Sequence, residues 1–336
     1  MLNQVPVTSL ADDACTRKEE IRGYNESILL TGLKDGLVSV SQLQRMGGPA
    51  TDYGLRVYAN NGNCIEIAGT DYQTSATSST AEIHRIRQKM HNQPVNGRIG
   101  VFFDRWIGNY YHWMLYCLPK IVLLHKFMGV DKFFLPSGLY ELPRFAWESV
   151  ELLGFSNSAL LPISCGFHGA SELCVVHGAS PSPLAWKFTR SQFRHLMVGC
   201  NPSKTRSLFL KRKANVHAQR QLVNENEVEQ MCINKGIRIV DPGQASVLDQ
   251  IRLFNEAKLV IALHGAALTN IMWMEPGGKV IEIATDNQPH YLSLAEHFDH
   301  EWISLKAKRV DEGANDHNGR FTVDTKMLGE LIDSLT

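Results

Sequence analysis

The chain has 336 residues, 44% of them hydrophobic, enough to bury a sizeable core and to build two domains of ordinary size. Lys plus Arg and Asp plus Glu both number 34, so the net charge is zero with neutral histidines, and any anion binding must be local. That balance excludes a global basic field, and no basic stripe with interleaved aromatics points to nucleic acid.

The first thirty residues mix Asp12, Asp13, Arg17, Lys18, Glu19 and Glu20 with short apolar pieces, unlike a secretory signal peptide. The longest apolar stretch, "YYHWMLYCLPKIVLLHKFMG", is interrupted by His112, Pro119, Lys120 and His125. A bilayer span needs about twenty nearly uninterrupted apolar residues, so a soluble, cytoplasmic protein is expected. Seven scattered cysteines without a Cys-x-x-Cys pair fit reduced thiols better than a disulfide framework or a zinc site.

In chain order, residues before about 95 read as polar and hairpin-rich, with "TDYQTSATSSTAE" as a loop. "RIGVFF" is then a strand, "YYHWMLYCLPKIVLLHKFMG" a long helical stretch and "KFFLP" a strand. "PRFAWESVELLG" reads as a helix and "ELCVVHG" as a further strand. The join near "HGASPSPLAW", where Pro181 and Pro183 break the pattern, divides a first domain over 1–185 from a second domain over 186–336.

The second half repeats the rhythm more clearly. Strand "SLFLK" leads through a basic loop to helix "NENEVEQMCINKG", which Asn224 can cap and Gly236 ends. "IRIV" is a strand, and Ser246 with Asp249 forms a capping box for the next helix. "KLVIAL", the short helix "AALTNIMWM", strand "KVIEIA", helix "YLSLAEHFD" and strand "WISLKA" follow. Such alternation implies an α/β fold with a parallel sheet, whose ligands gather at the carboxyl ends of the strands. Two facing α/β domains with a cleft between them is the expected architecture.

Several residues carry candidate chemistry. In "LVIALHGAALTN" a strand feeds a Gly-Ala-Ala turn and a helix start, which presents backbone N–H groups and a positive helix end to an anion such as phosphate. The same small residues also suit a tight packing turn. Arg212 and Arg220, in the loop after "SLFLK", share that sheet edge and offer planar guanidinium forks for phosphate oxygens. Glu282 interrupts an apolar strand, so it needs a structural cation or a polar ligand such as a ribose. In "FDRWIGNYYHWMLYCLPK", Asp104 follows a strand, Asn109 can cap the helix and His112 lies on its first turn. His112 is a candidate general base, or else a packing histidine among aromatics. The chain contains no Asp-x-Asp, no close His/Cys ligand cluster and no Gly-x-Ser-x-Gly elbow.

"NYYHWMLYCLPK", "FLKRKANVHAQRQLVNENEV", "LDQIRLFNEAKLVIALHGAALTNIMWMEPGGKVIEI" and "HYLSLAEHFD" together resemble, in order and spacing, glycosyltransferase family 61. The resemblance runs from about Asp104 to Asp299, with Arg212, Arg220, Asn224-Glu225, Gln250, His264-Gly265, Leu268-Thr269-Asn270, Pro276-Gly277 and Glu282 in place. It implies a GT-B fold of two facing Rossmann-like domains and inverting transfer of a hexosyl or pentosyl group from a nucleotide-sugar. The implied donor site uses Arg212, Arg220, Asn224, His264, Gly265, Ala266, Leu268, Thr269, Asn270 and Glu282. Asn109 and Trp113 fall on the acceptor side, with His112 or Asp104 as base. No metal or other cofactor is expected. The resemblance also implies a soluble bacterial branch linked to capsule or surface polysaccharide. The acceptor would be a glycan or lipid-linked glycan, with room for a peripheral association with membrane-bound polysaccharide machinery. A nucleotide-sugar epimerase and a non-catalytic carbohydrate-binding protein are the alternatives.

Overall fold

The structure is a computed structural model describing residues 3–6, 15–23, 26–44, 51–65, 78–90, 94–103, 106–136, 142–178, 182–199, 206–211, 220–285, 290–311 and 319–335. The chain divides into two compact units, Met1–Gln192 and Phe193–Thr336.

In the first unit the strands are β1 (Asn3–Pro6), β2 (Cys15–Gly23), β3 (Glu26–Gln44), β4 (Thr51–Tyr58), β5 (Cys64–Ile65), β6 (Val95–Val101), β7 (Lys132–Pro136), β8 (Leu160–Ile163) and β9 (Gly166–His177). They form one mixed sheet in the order β1-β2-β3-β9-β6-β7-β8, with β4 on β3 and β5 on β4. β1 to β5 pair antiparallel, as expected of a hairpin-rich start, while β6, β7, β8 and β9 run parallel. The long β3 joins the halves by pairing antiparallel with β9 from Leu29↔His177 to Val40↔Gly166. The helices are α1 (Thr80–Lys89), α2 (Tyr110–His112), α3 (Leu118–Met128), α4 (Arg144–Leu152) and α5 (Pro183–Gln192). A π-turn over Trp113–Cys117 links α2 to α3.

The second unit is built on β10 (Arg206–Leu210), β11 (Gln221–Leu222), β12 (Arg238–Val240), β13 (Ala257–Leu263), β14 (Lys279–Ala284), β15 (Glu301–Lys306), β16 (Lys308–Arg309) and β17 (Arg320–Thr322). Its helices are α6 (Glu225–Asn234), α7 (Val247–Asn255), α8 (His290–His297) and α9 (Thr325–Leu335), with a 3-10 helix over Ala266–Trp273. The main sheet is all parallel, in the order β12-β10-β13-β14-β15. A small sheet, β11-β17-β16, packs Leu222 and Phe321 into the same core as the main sheet.

Alternation decides which faces are covered. Phe209, Leu259, Ile261, Leu263, Ile281, Ile283 and Leu305 share one core with Val228 and Cys232 of α6 and Leu328 and Ile332 of α9. The other residues of β13 and β14 point away from that core, and Val260, Ala262, Val280 and Glu282 are buried as well. A sheet buried on both faces has the continuous apolar strands seen in "KLVIAL". Local signals place the helices between them. Ser246 Oγ accepts from Asp249 N at 3.1 Å and donates to Asp249 Oδ2 at 2.6 Å, closing the capping box. Gly236, at φ 71°, turns the chain out of α6 where a side chain would be strained.

Candidate functional site

In the second unit the chain steps from β10 outward to β12, then returns to the other side of β10 as β13. The loops leaving β10 and β13 therefore diverge, and such a reversal opens a crevice at the carboxyl ends of the strands. The loop after β10 begins at Lys211, whose Nζ pairs with Glu229 of α6 at 2.6 Å. Arg212 lies outside the described residues. The loop ends at Arg220, 6% exposed and in the left-handed region at φ 73°. A buried arginine in a backbone conformation that costs about 1–3 kcal/mol has to be held there by its surroundings.

The loop after β13 starts at His264, whose N–H donates to Ile283 O at 3.0 Å and so extends the ladder beyond the strand. The registers Ala262↔Glu282 and Val280↔Trp302 put Ala262, Glu282 and Trp302 on one face, and His264 is two residues beyond Ala262. There His264 Nδ1 and Glu282 Oε1 share a hydrogen bond, and Trp302 Nε1 donates to Glu282 Oε2 at 2.8 Å. Glu282 is 1% exposed and His264 5%. The His264 ring also meets Tyr291 edge-on at 5.3 Å and His290 at 6.0 Å. Where the sequence offered Glu282 a structural cation or a polar ligand, the fold sets His264 and Trp302 beside it. Both carboxylate oxygens have protein partners, and the group is buried.

Gly265 is extended (φ 165°, ψ 170°), a conformation any residue adopts, so its backbone does not require glycine. Beyond it, Ala266 and Ala267 are half-buried and form the open part of the loop. Leu268, Thr269 and Asn270, expected at the donor site, are fully buried. Asn270 Nδ2 donates to Gln250 Oε1 at 2.9 Å, and Gln250 Nε2 donates to Ala245 O at 3.2 Å, which braces the 3-10 helix against α7. Thr269 Oγ1 is enclosed without a hydrogen-bond partner among the described residues. Asn224 stands at the start of α6, but its side chain makes no cap there. Instead Nδ2 donates to Val323 O at 2.8 Å and Oδ1 accepts from Val323 N at 3.2 Å, a structural staple in place of the expected donor contact.

The first unit has a reversal of its own, because β7 and β8 lie on one side of β6 and β9 on the other. Asp104, just past β6, lies outside the described residues. Asn109 caps the helix that follows: its Oδ1 accepts from Tyr111 N at 2.9 Å. His112 is half-buried among rings, 4.6 Å from Trp106, 5.4 Å from Tyr111 and 5.1 Å from Tyr116 between centroids. Trp113 does not belong to an acceptor surface. It is fully buried, its Nε1 donates to Ser149 Oγ at 2.7 Å, and Phe102 packs edge-on at 5.9 Å. Its indole is therefore part of the core, while neighbouring His112 is half-buried.

A family model for glycosyltransferase 61 matches residues 110–281, just over half of the chain. The chain belongs to glycosyltransferase family 61. It is a glycosyltransferase, with a sugar donor and a glycan acceptor as its general partners. No curated protein sequence matches it.

The match of this family-61 enzyme opens on the helix capped by Asn109 and ends within β14, so it includes His112, Arg220 and His264 and stops short of Glu282 and Trp302. Of the sequence-derived donor residues, the fold brings His264 and Glu282 into direct contact and places Arg220 at the end of the neighbouring loop. Trp302 escaped sequence reading although it forms the third member of that cluster. Its signal was a tryptophan opening a strand two positions from register with a buried glutamate. Trp106 and Tyr116, which surround His112, were likewise hidden inside a generally aromatic stretch.

Proposed function

We propose that this family-61 enzyme moves a hexosyl or pentosyl group, with inversion, from a nucleotide-diphosphate sugar to a glycan or lipid-linked glycan. The single observation that supports the reading is the strand-order reversal of the second sheet, with the buried His264–Glu282 pair on the strand and loop beside it. A diphosphate there would meet Arg220, Arg212, the Ala266–Ala267 backbone and the imidazole. In this reading the two units act as the facing domains of a GT-B enzyme, divided near residue 185. The first unit supplies the acceptor side through Asn109 and the base through His112 or Asp104.

One displacement at the anomeric carbon accounts for inversion. The base takes the proton of the acceptor hydroxyl as that oxygen bonds the anomeric carbon, and the bond to the diphosphate oxygen breaks with its electron pair. Guanidinium groups and a positive helix end balance the departing charge. A chain without Asp-x-Asp supports a metal-independent reaction. No described helix is long and apolar enough to cross a membrane. The setting we propose is the bacterial cytoplasm, in surface polysaccharide or capsule synthesis, with peripheral attachment to the membrane-bound machinery.

The test incubates the full chain with a panel of nucleotide-sugars and glycan acceptors and follows nucleoside diphosphate release and product configuration. Transfer with inverted configuration supports the reading. Rearranged sugar without acceptor would make the protein an epimerase, and sugar binding without donor consumption would make it a binding protein. His112→Ala is expected to slow transfer about 100- to 10,000-fold with nucleoside diphosphate affinity unchanged. Full activity in that variant would remove His112 as the base.

A further inference from the structure

We infer that Lys120 is an anion-binding residue on the helix face of His112, and that it takes an oxyanion, carboxylate or phosphate, carried by the accepting sugar. This role rests on the acceptor-side reading of the first unit. Lys120 stands in the first turn of α3 and is 3% exposed, among Leu118, Pro119 and Ile121, which are buried too. Among the described residues no carboxylate, carbonyl or hydroxyl accepts a hydrogen bond from its ammonium. The nitrogen itself is not enclosed, so the little surface that the residue keeps includes the ammonium tip. An ammonium carries three donors and no acceptor, and burying it without a partner is costly. A sequence keeps such a costly group where function requires it.

The helix sets Lys120 in line with the proposed base. A π-turn takes about one residue more than the roughly 3.6 of an α-turn, so residues eight apart across Trp113–Cys117 stand about two turns apart on one face. His112 and Lys120 are such a pair. Tyr116 lies between them, its ring 5.1 Å from that of His112. Helical side chains lean toward the N-terminus, which sends the lysine stem back toward Tyr116. His112 and Tyr116 are half-buried and Lys120 is buried, so this face closes from His112 inward. A sugar entering at His112 meets the rings of Trp106 and Tyr116 and then, about one turn or 6 Å deeper, the ammonium. That interval is the span of one sugar ring with its substituents, so the matching charge belongs to the accepting sugar itself.

The ion pair forms only with the acceptor present. It makes and breaks no covalent bond; it holds the oxyanion while a hydroxyl of the same sugar faces His112. A neutral sugar leaves the ammonium buried and unpaired, so the same group selects against uncharged acceptors. Lys120→Met keeps a flexible apolar stem and removes the charge. A lysine that braces the fold loses stability on this change. A lysine held for a ligand does not, since what disappears is a buried charge without a partner.

The experiment compares the full chain with Lys120→Met in urea unfolding. It then follows the thermal midpoint of each protein with glucose, glucuronate and glucose 6-phosphate at one ionic strength. Lys120→Met should be at least as stable as wild type. Glucuronate or glucose 6-phosphate should raise the wild-type midpoint, glucose should not, and the rise should be lost in Lys120→Met. A rise with only one of the two anions assigns the carboxylate or the phosphate. An equal rise in both proteins puts the anion elsewhere and overturns the inference. So does a Lys120→Met that is less stable or fails to fold, and so does a wild type that neither sugar anion stabilises. With an acidic acceptor, Lys120→Met should lower kcat/KM about tenfold or more through KM. The unfolding measurements need no turnover, so if no transfer occurs the acceptor-side reading falls while the place of the anion is still decided.

Discussion

Asn224 holds both the N–H and the C=O of Val323, so one side chain ties the start of α6 to the chain leaving β17. A hydrophobic residue could not do this, since the peptide group of Val323 needs both a donor and an acceptor. Asn224→Ala should lower stability by about 1–3 kcal/mol in urea unfolding, with nucleoside diphosphate affinity of the folded enzyme unchanged. A selective loss of affinity at full stability would return Asn224 to the donor site. At this scale the sequence showed which residues are polar where apolar ones are expected, as with Glu282 and Asn224. It did not show their partners, because Val323 is 99 positions from Asn224 and Trp302 20 from Glu282. Polar residues inside a fold pair with whatever the topology brings near, and a linear pattern carries no register between distant strands.

The helix that carries His112 owes its shape to Pro119. Proline has no N–H, so Leu115 O loses the donor four residues on, and the turn over Trp113–Cys117 widens to the π form. The indole of Trp186 in α5 supplies the missing partner, donating to Leu115 O at 2.9 Å. Trp186→Phe should therefore cost about 1–3 kcal/mol by leaving a buried carbonyl unsatisfied. In a Pro119→Ala background a backbone donor is available again, and the same change should cost about 1 kcal/mol less. Urea denaturation of the four proteins measures this coupling, and strict additivity would refute the account of the turn. The helix itself was legible from its apolar run and from Gly129, which ends it at φ 64°. The partner of Leu115 O was not, since it is a tryptophan 71 residues away.

For the molecule as a whole, the β–α alternation of the C-terminal half translated directly into an all-parallel main sheet, because continuous apolar strands alternate with helical periods there. The order β12-β10-β13-β14-β15 needed the structure, yet the two loops singled out from sequence, after "SLFLK" and after "KLVIAL", are those at the reversal. The N-terminal half was less legible. Its described strands join hairpins to a parallel group through the pairing of β3 with β9, a contact more than a hundred residues apart that no local signal announces. The central claim for the enzyme is that a nucleotide-sugar's diphosphate occupies the reversal of the second sheet. Amide hydrogen exchange on the full chain, with and without a saturating nucleoside diphosphate, tests it most directly. Slowed exchange concentrated at residues 264–268 and at Arg220 is the predicted result, and slowed exchange confined to the first unit would contradict it.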